Sequence, residues 1–533
     1  MNRGIISRNP IVTGVTTVEK QTAGGNRKDS QQNTTSGQTP STSLDEMMNL
    51  FRQIFKDDGT LRIRVLNNEY SESLRFGLVN VDGMVDKHMI QEGVIKPLMA
   101  FDFTRMEYGN TAELMEKIRM QVINVTDVVT STDLNEMISA IIAGKTLLLL
   151  DGYAGVLNIG AQGWDKKAIT EPVTEKSVYG PREGFTESLL VNLTLIRRRV
   201  QDSDLKFIFS QVGSRSNTQI CICYMESLAS PDIIKELQDR LKQVDIDLVL
   251  DTAFLSELIR DEPFSPFEMT GSTERPDSAV SKIMEGRVAL LMEGSPYAMT
   301  VPYLFVENFQ ASSDYYINYY FGSFNRMLRM VGAFLSISIP AIYVALVTFS
   351  QEMIPTQLLL SIATSRVAVP FPTVVEAVFM LTIFEILREA GERIPTYIGQ
   401  AISIVGALVL GQAAVEARLV SAPMIIVVGL TGIMTLLNPR LTGPLIVVRA
   451  LLLIASFMLG VYKYFLGILG LVIHLMSLRS FGVSYMLGIG SIRPQDIKDT
   501  AIRAPWWHMH LRPAMIGARN RKRKGSNKIE RRP

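Results

Sequence analysis

Residues 328–349 read LRMVGAFLSISIPAIYVALVTF, and this run divides the chain into two kinds of structure. A helix needs about 20 apolar residues to cross about 30 Å of hydrocarbon. Similar runs follow at 367–387, 397–415, 420–437 and 445–478, whereas no run before residue 328 is long enough. The sequence therefore predicts a soluble N-terminal region followed by an all-α polytopic membrane domain.

The overall composition agrees with such a division. The chain has 533 residues, of which 47% are hydrophobic, and its formal net charge is +2. The mean hydropathy of +0.18 is high for a soluble protein. A chain of this length is expected to hold about two or three domains. The near-neutral net charge gives no reason to expect a polyanionic partner.

Short apolar runs alternate with helical patterns in the soluble region. We expect strands in RFGLVNVD, TLLLLDG, KFIFSQV, TQICICYM, IDLVLD and RVALLMEG, and a helix in PDIIKELQDRLKQV. This alternation predicts an α/β fold, here in two lobes. The expected domains are a disordered polar tail (1–43), a first α/β lobe (44–135), a second α/β lobe (136–325), a transmembrane domain (326–480) and a basic cytosolic tail (481–533).

Motifs for enzymatic chemistry are missing from the sequence. The Gly-Lys-Thr at Lys145 resembles the end of a phosphate-binding loop, but Ser139 stands where that loop needs a glycine. A strand follows where the loop needs a helix. Cys221 and Cys223 share one face of a predicted strand and are interpreted as core residues. We therefore expect no enzyme, no cofactor and no metal site.

Basic residues indicate the membrane topology. A break near Lys463–Gly470 would turn the last apolar run into a hairpin and give six spans. Four spans are the alternative if one of these segments is re-entrant. The segment Met353–Arg366 is too short to span and is expected to be a re-entrant or pore-mouth helix. Lysine and arginine concentrate in alternate loops and in residues 493–533, which predicts that both termini are cytoplasmic. We interpret the basic tail as a contact for anionic membrane lipids rather than for nucleic acid.

Acidic residues within the predicted spans are candidates for function. Glu376 and Glu385 lie nine residues apart on one predicted helix, so they face opposite sides of it. Glu376 has no local partner, and an unpaired carboxylate within a membrane is costly. It is either a functional carboxylate or one that is hydrogen-bonded to a neighbouring helix. The remaining charges predict an ion-pair network at the cytoplasmic end, made of Glu385, Arg388, Glu389, Glu392 and Arg393.

The next predicted helix has one small-residue face and one polar face. Gln412 and Glu416 lie on the polar face and are candidates to line a water-filled path. Small residues four apart allow close helix packing. They are Gly399, Ser403, Ala407 and Gly411.

Residues 179–200, YGPREGFTESLLVNLTLIRRRV, predict an amphipathic helix that starts with Pro181. Arg197, Arg198 and Arg199 fall in its last turn. Consecutive helical positions are turned by about 100° from each other, so the three guanidinium groups cannot bind one anion together. We expect them to form salt bridges between the lobes or between neighbouring subunits.

The stretch GPREGFTESLLVNLTLIRRRV resembles the GerA family of bacterial spore germination proteins, in particular its A-type subunits. The resemblance continues through LLLLDGYAGVLNIG, TERPDSAVSKIMEGRVALLMEGSP and SSDYYINYYFG. In the predicted membrane domain it extends through PFPTVVEAVFMLTIFEILREAGERIP and YIGQAISIVGALVLGQAAV. It covers about residues 65–480, with departures at Tyr179, in SPFEMTG and in EARLVSAP.

This resemblance implies a subunit of a nutrient germinant receptor in the spore inner membrane. Such a subunit works with a polytopic B subunit, which binds the germinant, and with a lipoprotein C subunit. The resemblance also implies a homo-oligomer, expected to be a pentamer, that releases monovalent cations when germinant binds.

Three classes of function follow from the residues and the resemblance together. The first is a ligand-gated cation channel, with Glu376 as its pore or gate carboxylate and with Gln412 and Glu416 as further candidates. An amplifying paralogue that acts during sporulation is a variant of this class. The second is a non-conducting scaffold that docks the B and C subunits. The third, an enzyme, is disfavoured because the sequence offers no nucleophile, metal or cofactor constellation.

Overall fold

The computed structural model consists of two α/β lobes, a helical region and a C-terminal segment that returns to the second lobe. The predicted fold class is confirmed. The structure describes residues 40–71, 73–163, 171–172, 174–393, 411–489 and 499–509, and the single positions 511, 512, 516, 520, 522 and 523.

The first lobe contains one antiparallel sheet with helices packed around it. Its strand order is β1-β2-β4-β5-β3. The strands are β1 (Leu61–Asn67), β2 (Arg75–Val81), β3 (Val128–Ser131), β4 (Thr146–Leu150) and β5 (Val156–Ile159). The helices are α1 (Leu44–Ile54), α2 (Lys87–Ile90), α3 (Lys96–Ala100), α4 (Thr111–Lys117) and α5 (Leu134–Ile142).

The second lobe contains a second five-stranded antiparallel sheet of the order β6-β7-β9-β10-β8. Its strands are β6 (Leu205–Val212), β7 (Thr218–Met225), β8 (Gly271–Thr273), β9 (Val288–Met292) and β10 (Ala298–Val301). Its helices are α6 (Leu189–Arg199), α7 (Pro231–Lys242), α8 (Thr252–Ile259) and α9 (Pro276–Ile283).

The two lobes are copies of one design, because their strand orders are the same. The residue after the central strand caps the first helix in each copy. In the first lobe Asp151 Oδ1 accepts from the N–H of Leu44 (3.1 Å), and in the second Glu293 Oε2 accepts from the N–H of Leu189 (2.8 Å). The Gly-Lys-Thr motif is part of this design, because Gly144, with φ +83°, ends the turn between α5 and β4.

Two expectations about the lobes are wrong. The boundary expected at residues 135/136 cuts through the first sheet, because β4 and β5 pair with β2 and β3. IDLVLD (246–251) is a loop and not a strand. Its carbonyl groups accept hydrogen bonds from an adjacent turn, for example Ile246 from the N–H of Ser214 (2.8 Å).

The helix that was expected to begin at Pro181 begins at Leu189. The segment before it is tied to the second lobe through its backbone, since the N–H of Phe185 donates to the carbonyl of Glu274 (2.7 Å). Tertiary hydrogen bonds have therefore replaced the first helical turns that the apolar pattern predicted.

The helical region contains α10 (Tyr319–Thr348), α11 (Thr356–Arg366), α12 (Thr373–Arg393), α13 (Ala422–Leu436) and α14 (Thr442–Ser477), and residues 411–416 are also helical. Of the helices in the described ranges, two are long and apolar enough to cross a membrane. These are α10 and the stretch Pro439–Ser477, which includes α14.

The final helix α14 is a hairpin of two helical halves. Leu459 and Gly460 have non-helical backbone angles, and Gly460 has φ +62°. The halves lie against each other, because a Cβ built on Gly467 would come 2.6 Å from Leu452 Cδ2. The break thus precedes the expected position, Lys463–Gly470.

The chain returns to the second lobe after α14. Strands β11 (Arg479–Ser480) and β12 (Val483–Ser484) form a small hairpin, and Ser480 Oγ accepts from the N–H of Tyr303 (2.9 Å). Phe481 and Leu487 join the core of that lobe. The first part of the expected basic tail is therefore a folded part of the second lobe.

Candidate functional site

Glu376 lies near the start of α12 and is 1% exposed. Its Oε1 accepts hydrogen bonds from the N–H and the Oγ of Ser421, each at 2.5 Å, immediately before α13. Its Oε2 lies 3.8 Å from Nε of Arg366, the last residue of α11. The partners of Glu376 thus come from outside its own helix, as in the alternative of a carboxylate that is hydrogen-bonded to a neighbouring element. A carboxylate near the start of a helix is favourable. Through its contacts with Arg366 and Ser421, Glu376 also connects α12 to the end of α11 and the start of α13.

Gln412 and Glu416 lie on a different surface from Glu376. Both are exposed, and Gln412 Nε2 donates to Glu416 Oε1 at 3.0 Å. They face outward from the helical region of the single chain, whereas Glu376 is enclosed within it. The structure therefore does not bring the three candidates together.

A buried arginine that the sequence analysis missed completes a second charged cluster. Arg449, in the first half of α14, is 3% exposed and pairs with Glu385 of α12. Its Nη1 also lies 3.4 Å from Thr435 Oγ1 of α13. Arg388 Nη1 lies 2.7 Å from the other oxygen of Glu385. Arg449 is the only charged residue of the apolar run 442–462, which is the signal that would have found it.

The exposed part of this network follows the expected helical spacing. Glu389 Oε1 lies 2.6 Å from Arg393 Nη2, and Glu392 Oε1 lies 3.6 Å from Arg388 Nε. These pairs surround the C-terminal turns of α12. Exposed pairs of this kind contribute little, about 0.3–0.5 kcal/mol each.

Most of the predicted small-residue stripe, namely Gly399, Ser403 and Ala407, lies outside the described residues. Its last member, Gly411, is buried. A Cβ added to Gly411 would come 3.8 Å from Ile425 Cγ2 of α13. This end of the stripe therefore packs closely against α13.

The three arginines at the end of α6 have separate surroundings. Arg197 is 1% exposed, and its Nη2 lies 2.5 Å from Oδ2 of Asp58 in the first lobe. Arg199 pairs with Glu183, and Arg198 Nη1 lies 3.9 Å from the same carboxylate. Arg197 therefore reaches across to the first lobe.

Charged contacts also connect the α/β lobes to the helical region. Arg440, between α13 and α14, pairs with Glu175 in the linker between the lobes. Arg326 of α10 is fully buried. Its Nη1 lies 3.0 Å from Oδ1 of Asp499, and its Nε lies 3.6 Å from Oδ2 of Asp314. Sequence reasoning did not identify these contacts; the partners of Arg440–Glu175 and of Arg326–Asp499 are far apart along the chain.

The composition of these clusters does not match that of a metal site. In the part of the chain that the structure describes, no three His, Cys, Asp or Glu side chains are grouped to hold a metal ion. The carboxylates at the centre of each cluster face arginines. The arrangement is suited to holding helices and lobes in position.

Comparison with known proteins identifies the family. A family model described as Bacillus/Clostridium GerA spore germination protein matches residues 49–515. The chain belongs to the GerA family. Spore germination protein KA of Bacillus subtilis (strain 168) is 38% identical to this GerA protein over 467 residues, which cover 87% of this chain and 85% of that protein. Spore germination protein GerLA of Bacillus cereus is 34% identical over 462 residues, 86% of this chain and 92% of that protein.

Two further comparisons concern a membrane protein and a solved structure. The uncharacterized membrane protein YfkQ of Bacillus subtilis (strain 168) is 38% identical over 445 residues, 83% of this chain and 86% of that protein. The crystal structure of the N-terminal domain of the A subunit of the Bacillus megaterium spore germinant receptor GerK3 matches with 26% identity and a TM-score of 0.40. That match covers 50% of this chain and 98% of the GerK3 domain.

The resemblance to A-type GerA subunits that the motifs indicated is thus confirmed. Family membership and the two long apolar helices together identify this GerA protein as a membrane protein. The family is one of spore germination proteins and not a known class of enzymes.

Proposed function

We propose that this GerA protein is the A subunit of a nutrient germinant receptor and forms an oligomeric, gated path for monovalent cations in the spore inner membrane. Its partners are a germinant-binding B subunit and a lipoprotein C subunit. Two relatives that match most of this chain are named spore germination proteins, and these names support a role in germination.

The observation that carries the conduction proposal is the outward-facing polar pair Gln412 and Glu416. Glu416 directly follows the apolar run 397–415, and a carboxylate that faced lipid there would be costly, so this face favours water or another subunit against it. In a ring of identical chains, each copy supplies one Glu416 to a common axis. Rings of carboxylates attract cations and exclude anions.

We assign Glu376 to the gate and not to the pore lining. It is enclosed and holds the start of α13 through Ser421. The loop after α13 carries Arg440, which is paired with Glu175 between the lobes. Movement of the lobes after germinant binding to the receptor would therefore pull on α13. A ligand opens such a device only by binding the open form more tightly than the closed one.

The path of the chain supports cytoplasmic placement of both ends. α10 leaves the second lobe at Tyr319, and α14 returns to it at Leu478. A helical region whose two ends meet the same soluble lobe crosses the membrane an even number of times. This agrees with the distribution of basic residues.

Cation flux through purified protein in liposomes tests the proposal. We expect K⁺ or Na⁺ flux from the full-length chain with its partners, and we expect Glu416→Gln to reduce this flux about tenfold, equivalent to about 1.4 kcal/mol in the barrier. Glu352→Gln, at another exposed carboxylate of the helical region, serves as the control and should conduct normally. Glu376→Gln weakens the attraction to Arg366 and should raise the flux measured without germinant.

Unchanged flux in Glu416→Gln would remove that residue from the path. Absence of flux from the wild-type protein, both alone and with its partners, would instead identify a scaffold that docks the B and C subunits.

A further inference from the structure

A cavity of about 490 Å³ lies where the second lobe, the loop before α14 and the C-terminal segment meet. A volume of this size accommodates a small organic molecule. Hydroxyl and aromatic groups form much of its wall, among them Thr273, Thr300, Tyr303, Tyr315, Tyr316 and Trp506.

Each carboxylate of the cavity wall has an arginine partner: Asp277 has Arg275, Glu285 has Arg523, Glu307 has Arg287 and Asp499 has Arg326. Lys282 and Arg287 both contact the carboxylate of Glu307, which is 1% exposed. Arg440 reaches the same cavity and pairs with Glu175. Three basic groups therefore share two carboxylates, and one positive charge is left over. Glu285 Oε2 lies 3.7 Å from Arg287 Nε, but Glu285 is also paired with Arg523, so counting this carboxylate adds a further arginine and leaves the excess of one positive charge.

Lys282 is the basic group that the excess positive charge affects most. Burial holds the pKa of Lys282 well below its usual value; repulsion from Arg287 and Arg440 lowers it further, and attraction to Glu285 and Glu175 offsets part of this repulsion. Its side chain is 21% exposed. A negative group placed in the cavity would relieve this repulsion and favour the charged lysine.

The duplicated lobe shows that two of these charges, Lys282 and Glu285, are not required by the fold, whereas Arg287 aligns with Lys145, a basic residue of the first lobe. Aligning β9 with β4 places Gly286 on Gly144 and Lys282 on Ala140, which is 8% exposed in the core of the first lobe. The same alignment places Glu285 on Ala143. The first lobe thus builds the same helix and strand from alanines, and the second lobe has charges at these positions instead.

We propose that this cavity binds a small anion that carries a carboxylate or phosphate group, held between Lys282 of the second lobe and Arg440 of the loop before α14. The rest of the ligand would pack against Tyr315, Tyr316 and Trp506. Because its two basic contacts come from different parts of the chain, the anion would hold the loop of the helical region against the soluble lobe. The site does not depend on whether the protein conducts cations.

Thermal unfolding of the full-length protein in detergent tests this site, with inorganic phosphate and citrate as probes and chloride at equal ionic strength as the reference. We expect saturable stabilisation by phosphate or citrate. Lys282→Ala and Arg440→Gln should each raise the apparent Kd at least about tenfold, the change typical of losing about 1.4 kcal/mol. Lys235→Ala, at an exposed lysine of the same lobe, should leave it unchanged.

A second arm distinguishes a free anion from a lipid headgroup. In nanodiscs, phosphatidylglycerol but not phosphatidylcholine would stabilise the wild-type protein if the anion is a lipid, and phosphate would then add nothing. Absence of saturable stabilisation by phosphate, citrate and phosphatidylglycerol would overturn the proposal. Undiminished stabilisation of Arg440→Gln would also overturn it, and this variant decides the question if Lys282→Ala does not fold, because Arg440 lies outside the core of the lobe.

Discussion

The buried pair Arg197–Asp58 allows a quantitative prediction of how much stability the second lobe loses when one partner is removed. Asp58→Ala leaves the guanidinium of Arg197 buried, where its Nε and Nη1 already lack hydrogen-bond partners. Removing one member of a buried ion pair costs about 3–5 kcal/mol. The cation–π contact between the guanidinium and the ring of Phe207, 4.6 Å away, is present before and after the substitution and therefore leaves this cost unchanged. We expect a loss of at least about 3 kcal/mol.

The opposite substitution, Arg197→Met, should cost less. Asp58 keeps two donors from Thr60, its N–H at 3.0 Å and its Oγ1 at 2.6 Å, so its carboxylate is not left without partners. Methionine also fills much of the volume beside Phe207. The double variant should lie close to Arg197→Met, because no buried guanidinium then remains.

Thiol labelling of the full-length protein in detergent measures these effects. Cys221 and Cys223, the two cysteines of the chain, lie on β7 and are 0% exposed. Burial raises the pKa of the Cys221 thiol, so the reactive thiolate forms when the lobe opens. When closing is fast, the labelling rate follows the open population. A loss of about 3 kcal/mol therefore predicts labelling about a hundredfold faster.

The control is Asp45→Ala, which removes the exposed partner of Arg75, 2.9 Å away, and should leave labelling nearly unchanged. Labelling of Asp58→Ala within threefold of the wild-type rate would refute the reasoning. So would a larger effect of Arg197→Met than of Asp58→Ala.

Two further predictions concern the helical region, with thermal unfolding in detergent as the measurement. Gly460→Ala should destabilise the α14 hairpin by at least about 1–3 kcal/mol, because φ is +62° and the new Cβ would lie 2.8 Å from Phe349 Cβ. Gly443→Ala, with open space around the new Cβ, is the control and should change the stability little. Similar effects of the two substitutions would contradict a break of α14 at Gly460. Glu385→Leu should lower the unfolding temperature more than Arg449→Met, because the arginine left behind cannot lose its charge. The reverse order would show that the pair is not buried as described.

Local pattern was enough to predict much of the fold. Five of the six expected strands became β2, β4, β6, β7 and β9, because alternation and apolar runs depend on neighbours in the sequence. The duplication was also visible in sequence, since TLLLLDG and VALLMEG mark equivalent strands, but it was recognised only from the identical strand orders.

The failures have a common cause. The segment 246–251 has the apolar pattern of a strand, and the residues after Pro181 have that of a helix. In both segments the backbone hydrogen-bonding groups contact distant parts of the chain. Local propensity is a weak preference, and tertiary hydrogen bonds override it.

The sequence by itself determined the order of soluble and apolar regions, the helical ion pairs such as Glu389–Arg393, and the family to which the chain belongs. Only the tertiary structure decided which partner each buried charge has. Glu376 is 45 residues from Ser421, and Glu385 is 64 residues from Arg449. The energy of such a pair depends on its distance in space and on its burial, and folding sets both of these through packing that no local pattern encodes.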